Sequence, residues 1–232
     1  MTDLETRLDE IERSLDAGSY RPGPWQELLA TAQRATPADL APLEATITRV
    51  SDKLHRRRDP PRFAFERALG LEILAAVTGL VLLSLGAGVE SSVLLVVAAI
   101  VLATSLQPLF KIATGLTLGL AFSYAYLWHG EPRFKLRYGT YLVAARWKRV
   151  VFHLSGTLGS PLAWFLVAVV GAPSHPTLGA VFGWLAGLHL LFQAVLFALA
   201  LAGVQRVPAM GLLRLTSPGA AGYALRPVGG AA

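Results

Sequence analysis

Four apolar stretches dominate the chain and leave few folds open to it. Residues 67–89, 150–172 and 178–204 each exceed 20 mostly uncharged residues, and a further stretch runs from Ser91 to His129. A helix crosses a bilayer core in about 20 apolar residues. Past Arg67 at its edge, the first stretch holds Glu72 as its one ionisable group. Charged residues make up 16% of the chain, against about 25% in soluble domains. They are unevenly placed. Residues 1–62 hold 11 acids and 10 bases, whereas residues 63–232 hold 4 acids and 11 bases. The first part reads as a water-facing module and the second as a membrane domain. The net charge of +6 arises in the membrane part, pointing to topology and anionic headgroups rather than nucleic acid.

Basic residues set the orientation. "HRRRDPPR" precedes the first span, which places the N-terminus in the cytoplasm. Arg133, Lys135, Arg137, Arg146, Lys148 and Arg149 place the 130–149 connector there, and Arg206, Arg214 and Arg226 the C-terminus. The turn at Val89–Ser92 is then outside, and one helix, from about Ser92 to about Leu118, returns the chain. "AFSYAYLW" (121–128) and "RFKLRY" (133–138) alternate with period two around the turn sequence "HGEP", which predicts a β-hairpin on the cytoplasmic side. Its aromatic face would meet headgroups or the bundle, and its basic face water. The competing reading is a fifth helix over 112–129, which would leave six positive charges outside. No signal peptide is visible, so the first span directs insertion. The chain has no cysteine, which excludes disulfides and thiolate chemistry. Arg outnumbers Lys 17 to 4, as in GC-rich bacterial or archaeal genes.

In the first sixty residues, Thr2 and Glu5 read as a capping box ahead of Leu4, Leu8, Ile11 and Leu15. "WQELLATAQRA" forms a short second helix. Thr36 caps a third, with Pro37 in its first turn. Leu40, Leu43, Ile47, Val50 and Leu54 follow at spacings of 3, 4, 3 and 4, a coiled-coil seam. The seams are two heptads long, so the expectation is a compact antiparallel helical hairpin, or a docking module for a partner or a second copy. A flexible cytoplasmic tail is expected from about Val207.

Polar groups recur at one depth. At 1.5 Å per residue Gln107 lies about 22 Å and Lys111 about 28 Å from the outer end of their span. The two share a helix face. Glu72 is expected at a similar depth, which makes it the natural partner for Lys111. His189 and Gln193, again four apart, bring the last span to this layer, and Ser155, Thr157 and Ser160 the third. The plainer alternative has Lys111 snorkelling, Glu72 near headgroups, and Gln and His joining helices. Gly179, Gly183 and Gly187 form a double G-x-x-x-G, and Gly115 with Gly119 another, both signatures of close helix approach. A kink is expected at Pro161.

The span carrying "QPLFK" (107–111), followed by a hairpin returning from the cytoplasm, resembles the core of site-2 protease-type intramembrane metalloproteases over roughly residues 92–165. In that family the corresponding helix carries H-E-x-x-H, two zinc-binding histidines and a catalytic glutamate. A later aspartate completes the metal site. Here Gln107 and Lys111 stand at the histidine positions and Pro108 at the glutamate, and no Asp follows Asp59. The resemblance implies a relative without proteolysis, with Lys111 in place of the metal charge and held by Glu72. No P-loop, dinucleotide fingerprint or haem-attachment motif occurs, and His153 and His189 lie at different depths, against bis-histidine haem. No metal or cofactor is expected.

The sequence therefore predicts an all-α integral membrane protein of four transmembrane helices. An N-terminal soluble helical hairpin (1–62) and a small cytoplasm-facing β-hairpin (about 120–142) complete it. The expected role is a non-enzymatic scaffold or accessory protein in the cytoplasmic membrane, a protease-like pseudoenzyme. It would contact the lipid bilayer and bind a partner, or itself, through residues 1–60. The alternatives are a small oligomeric transporter or proton-coupled carrier using Glu72, Lys111 and His189, and an intramembrane enzyme with unrecognised groups.

Overall fold

The computed structural model describes residues 3–32, 35–57, 61–128 and 131–201. Thr2 of the first capping box, the centre of the "HGEP" turn and the expected tail lie outside the described residues. Four helices are long and apolar enough to cross a membrane: α5 (Phe65–Gly88), α6 (Ser92–Thr117), α8 (Arg146–Gly171) and α9 (Pro176–Leu201). Helix α6 packs between α5 and α8, and α9 packs on α8. Their outward faces carry large apolar side chains such as Leu71, Val93 and Leu191, each more than 60% exposed. That surface suits lipid and would be a liability in water.

Helix α6 stops where its sequence forces it to. Gly119 adopts φ +81, a left-handed conformation that glycine takes at little cost. The Leu120 amide then closes back on the Gly115 carbonyl at 2.8 Å, a helix-ending turn. A strand follows, so the fifth helix over 112–129 does not form. Strand β2 (Phe122–Trp128) pairs antiparallel with β3 (Glu131–Leu136). A two-residue strand, β1 (Arg62–Phe63), adds to the other edge of β2, with Arg62 opposite Tyr126. The expected hairpin is thus a three-stranded sheet. Strand β1 leads directly into the first membrane helix.

The N-terminal module comprises α1 (Asp3–Asp16), α2 (Pro24–Ala32), α3 (Pro37–Leu40), a 3-10 turn over 41–43, and α4 (Glu44–Arg56). The Thr36–Asp39 capping box forms, with Pro37 in the first turn. Helices α1 and α4 run parallel, not antiparallel. Glu12 pairs with Arg49 and Asp16 with Lys53, so the offset between partners is constant, whereas antiparallel helices keep a constant sum. Helix α2 supplies the return between them. Arg49, the first influence, and Lys53 hold the Glu12 carboxyl down at about 2.

Two apolar cores result. One joins Leu8, Ile11, Leu28, Ile47 and Val50 of the N-terminal module to Leu120, Tyr138, Tyr141 and Phe152. Tyr138 and Tyr141 belong to α7 (Tyr138–Val143), a short helix inside the 130–149 connector. The other core joins Leu83, Leu95, Leu102, Ala163, Val167 and Phe182 within the membrane helices. The N-terminal module, the sheet and α7 therefore form one body at one end of the bundle, here termed the sheet end.

Candidate functional site

Glycines fix the register of the bundle, because each marks where two backbones meet. A Cβ at Gly79 of α5 would fall 2.7 Å from Leu102 of α6, and one at Gly86 would fall 3.1 Å from Leu95. Seven residues further along each helix, Glu72 lies level with Leu109. A Cβ at Gly159 of α8 would lie 2.5 Å from the Gln107 backbone, and Gly156 faces the Lys111 side chain. On α9, Gly179 lies against Ala172, and the His189 ring meets Trp164 of α8 at 5.0 Å. One turn beyond His189, Gln193 comes level with Ser160. Glu72, Gln107, Ser160 and Gln193 thus occupy one layer.

They do not converge within it. Glu72 is 7% exposed, on the α5 face that carries Ala68, Ala76 and Gly79. It makes no ion pair with Lys111. The Lys111 ammonium instead sits over the Phe152 ring at 5.1 Å. The reason is angular. Lys111 lies on the α6 face turned to α8, while Glu72 meets the face turned to α5. Gln107 is exposed. On α9 the Gln193 amide donates to His189 Nε2 at 3.0 Å, a contact within one helix. Ser160 donates to the Ala103 carbonyl of α6 at 2.9 Å, whereas Ser155 and Thr157 bond their own helix. Of the three α9 glycines, Gly179 packs, Gly183 has only Ala168 at 3.9 Å, and Gly187 has nothing within 4 Å. Steps of four rotate about 40° on a helix of 3.6 residues per turn. The ridge therefore turns away from α8, and Gly183 and Gly187 line an open groove with Trp184 and Leu191. The buried face follows Gly179, Phe182, Ala186 and Gln193.

The better-built polar assembly lies at the sheet end, away from the layer that the sequence pattern singled out. Tyr141 of α7 and His153 of α8 share a 2.6 Å hydrogen bond, both side chains buried. His55 Nδ1 meets the Tyr124 hydroxyl at 2.8 Å. Lys135 donates to Ser51 at 2.8 Å and pairs with Asp52 at 3.3 Å. Its side chain is 12% exposed, so this part of the hairpin's basic face meets α4 and not water. Burial pulls the Lys135 amine down, and Asp52 opposes that shift. Burial also raises the Tyr138 and Tyr141 hydroxyls, so both stay protonated. Gly139 lets α7 lie directly on α4. An added Cβ would strike the Glu44 carbonyl, and the Gly139 amide donates to Thr48 Oγ1 at 3.0 Å. Lys148 and Arg149 reach the Leu118 and Leu142 carbonyls, at the ends of α6 and α7, where cations are favoured.

The donor set does not fit the zinc of the site-2 protease resemblance. Gln107 points to the surface, Lys111 rests on a ring, and Pro108 lies inside α6. Among the described residues no three His, Asp or Glu side chains gather as metal ligands. No protein-family model matches the chain, and neither does any curated protein or solved structure. The arrangement thus speaks for itself: a polar junction binding a helical module to a membrane bundle, above a layer of separated polar groups. The sequence signal for this junction was the non-seam face of α4, where Ser51, Asp52 and His55 line up beside the seam.

Proposed function

We propose that the chain is a non-enzymatic membrane scaffold or accessory protein that presents its N-terminal helices to protein partners. Both termini lie in the cytoplasm. The single observation that carries this reading is the shared core of α1, α2, α4, α7 and Phe152 of α8. A module anchored this way keeps a fixed attitude to the membrane, as a presenting surface must. Its outward face offers Glu10, Arg13, Gln26 and Glu27 to solvent. Basic residues at the sheet end, among them Arg56, Arg57 and Arg137, support the cytoplasmic orientation. Kinship with site-2 proteases is part of this proposal and rests on the order of α6, sheet and α8 alone, with Lys111 packed on Phe152 in place of metal ligation. The carrier reading is less well supported, because Glu72, Lys111 and His189 occupy three separate helix contacts.

Photo-crosslinking residues placed at Glu10 and Gln26 in native membranes test this. Discrete protein adducts are expected at both, and none at Pro176 at the opposite end of the bundle. The double reversal Glu10→Arg with Arg13→Glu should remove them. Absence of adducts, or solute flux in liposomes that stops with Glu72→Gln, contradicts the reading.

A further inference from the structure

Helix α6 carries a stripe that packing within one chain leaves open over most of its length, with α8 alongside only at the Gln107 backbone. Val93, Val97, Ile100, Thr104 and Gln107 succeed one another at spacings of 4, 3, 4 and 3, and all five are exposed. Val93 is 69% and Ile100 60% exposed. They lie opposite Leu95, Ala98, Ala99 and Leu102, the buried face of α6. An alternation of 4 and 3 is the seam of two helices wound around each other. Any one face of a helix recurs in this way, so the spacing permits a seam, and the polar end of the stripe is what sets it apart from a surface made for lipid.

The inner end of this seam is polar and incomplete. Gln107 lies about 22 Å from the Ser92 end of the helix, still within a hydrocarbon core about 30 Å thick. Its side-chain amide has no hydrogen-bond partner in the chain among the described residues. Pro108 has no N–H, so the Thr104 carbonyl on the same stripe lacks its usual helical donor. Thr104 Oγ1 is turned back to Ile100 and Val101. One unpaired amide and one freed carbonyl therefore face a medium that cannot satisfy them.

These groups are complementary to themselves. A primary amide both donates and accepts, and two of them pair reciprocally. Copies of one chain insert the same way round, so a two-fold axis along the membrane normal brings each α6 residue opposite itself at equal depth. We propose that α6 is the self-association face of this protein. Two copies pack seam to seam from Val93 to Gln107, and the Gln107 amides bond across the axis, to each other or to the facing Thr104 carbonyl. A single polar position in such a seam also fixes its register.

The absence of native cysteine makes the test direct. Single substitutions Val97→Cys and Ile100→Cys on the seam, and Leu80→Cys on the exposed face of α5, are made in the full chain and oxidised in dilute liposomes. Disulfide-linked dimers are expected for the first two and not for the third. Energy transfer between labelled copies then gives the dimer dissociation constant. Gln107→Leu should weaken it about threefold to thirtyfold, the range for one interhelical hydrogen bond, and Gln107→Asn should weaken it less. Monomers at every dilution, with lipid on the seam, overturn the proposal. So does cross-linking as strong at Leu80 as at Ile100, or a dimer indifferent to Gln107→Leu.

Discussion

The two cores of this protein are built from different materials. At the sheet end the buried residues are large: Leu8, Leu28, Ile47, Tyr141 and Phe152. Among the membrane helices Ala98, Ala99, Ala163 and Ala168 sit between fewer large neighbours. Glycines bring the backbones together there. The contrast follows from the solvent. In water, burying apolar area is worth about 25 cal/mol per Å², so large side chains are drawn in. In lipid that drive is missing, and close van der Waals approach of small residues replaces it. The outward faces invert accordingly, Glu10 and Arg13 on one side of the boundary and Leu71 and Val93 on the other. The boundary falls inside α8, because Phe152 belongs to the first core and Ala163 to the second.

The comparison breaks if one perturbation destroys both cores alike. Gly159→Leu drives a branched side chain into the Gln107 backbone and should cost about 3 kcal/mol or more. Loss of the α6–α8 crossing, followed by cysteine accessibility at Ala163, is the expected result, with the N-terminal module retained. Gly139→Ala acts in the other core, against the Glu44 carbonyl, and should cost about 2 kcal/mol. Proteolysis of α1 to α4 should accelerate while the bundle persists. Tyr141→Phe leaves buried His153 without its hydroxyl partner and should cost about 1–2 kcal/mol, read as a lower unfolding temperature for the sheet end while the bundle persists.

Acid gives the smallest effect. Because the Arg49 hydrogen bond holds Glu12 at about 2 in the fold, its contribution is fully present above the ordinary value near 4.5. It is lost as pH falls toward 2. After allowance for solvent screening this amounts to about 1 kcal/mol, and Glu12→Gln should abolish that slope in N-terminal module stability measured by circular dichroism.

Much of this architecture was legible in the sequence. The expected span from Ser92 to Leu118 is α6 to within one residue, because Ser91 caps its start and Gly119 ends it. Period-two alternation located β2 and β3. Helix α8 begins at Arg146, ahead of the expected 150, since a helix can extend into water while hydropathy marks only the lipid-facing part. Strand β1 is two residues long and pairs with residues more than sixty positions away, a contact that local pattern does not carry. Helix α7 is six residues long, too short for periodicity to register.

The site was legible in depth and not in direction. A fixed rise per residue places Glu72, Gln107 and Gln193 in one layer. Which neighbour each helix face meets depends on the packing order α5, α6, α8, α9, and that order separated Glu72 from Lys111. The parallel pairing of α1 with α4 escaped for a similar reason, because a seam records that a face is buried and not which way its partner runs.

The central claim is that the N-terminal module and the sheet lie on one side of a bilayer crossed four times. It is tested most directly with Arg13→Cys, Arg137→Cys and Pro173→Cys, three exposed positions, labelled by a membrane-impermeant maleimide in intact and opened cells. The account predicts that residues 13 and 137 react only after opening, and residue 173 in intact cells. Labelling of residue 137 from outside, or of 13 and 137 from opposite sides, would contradict it.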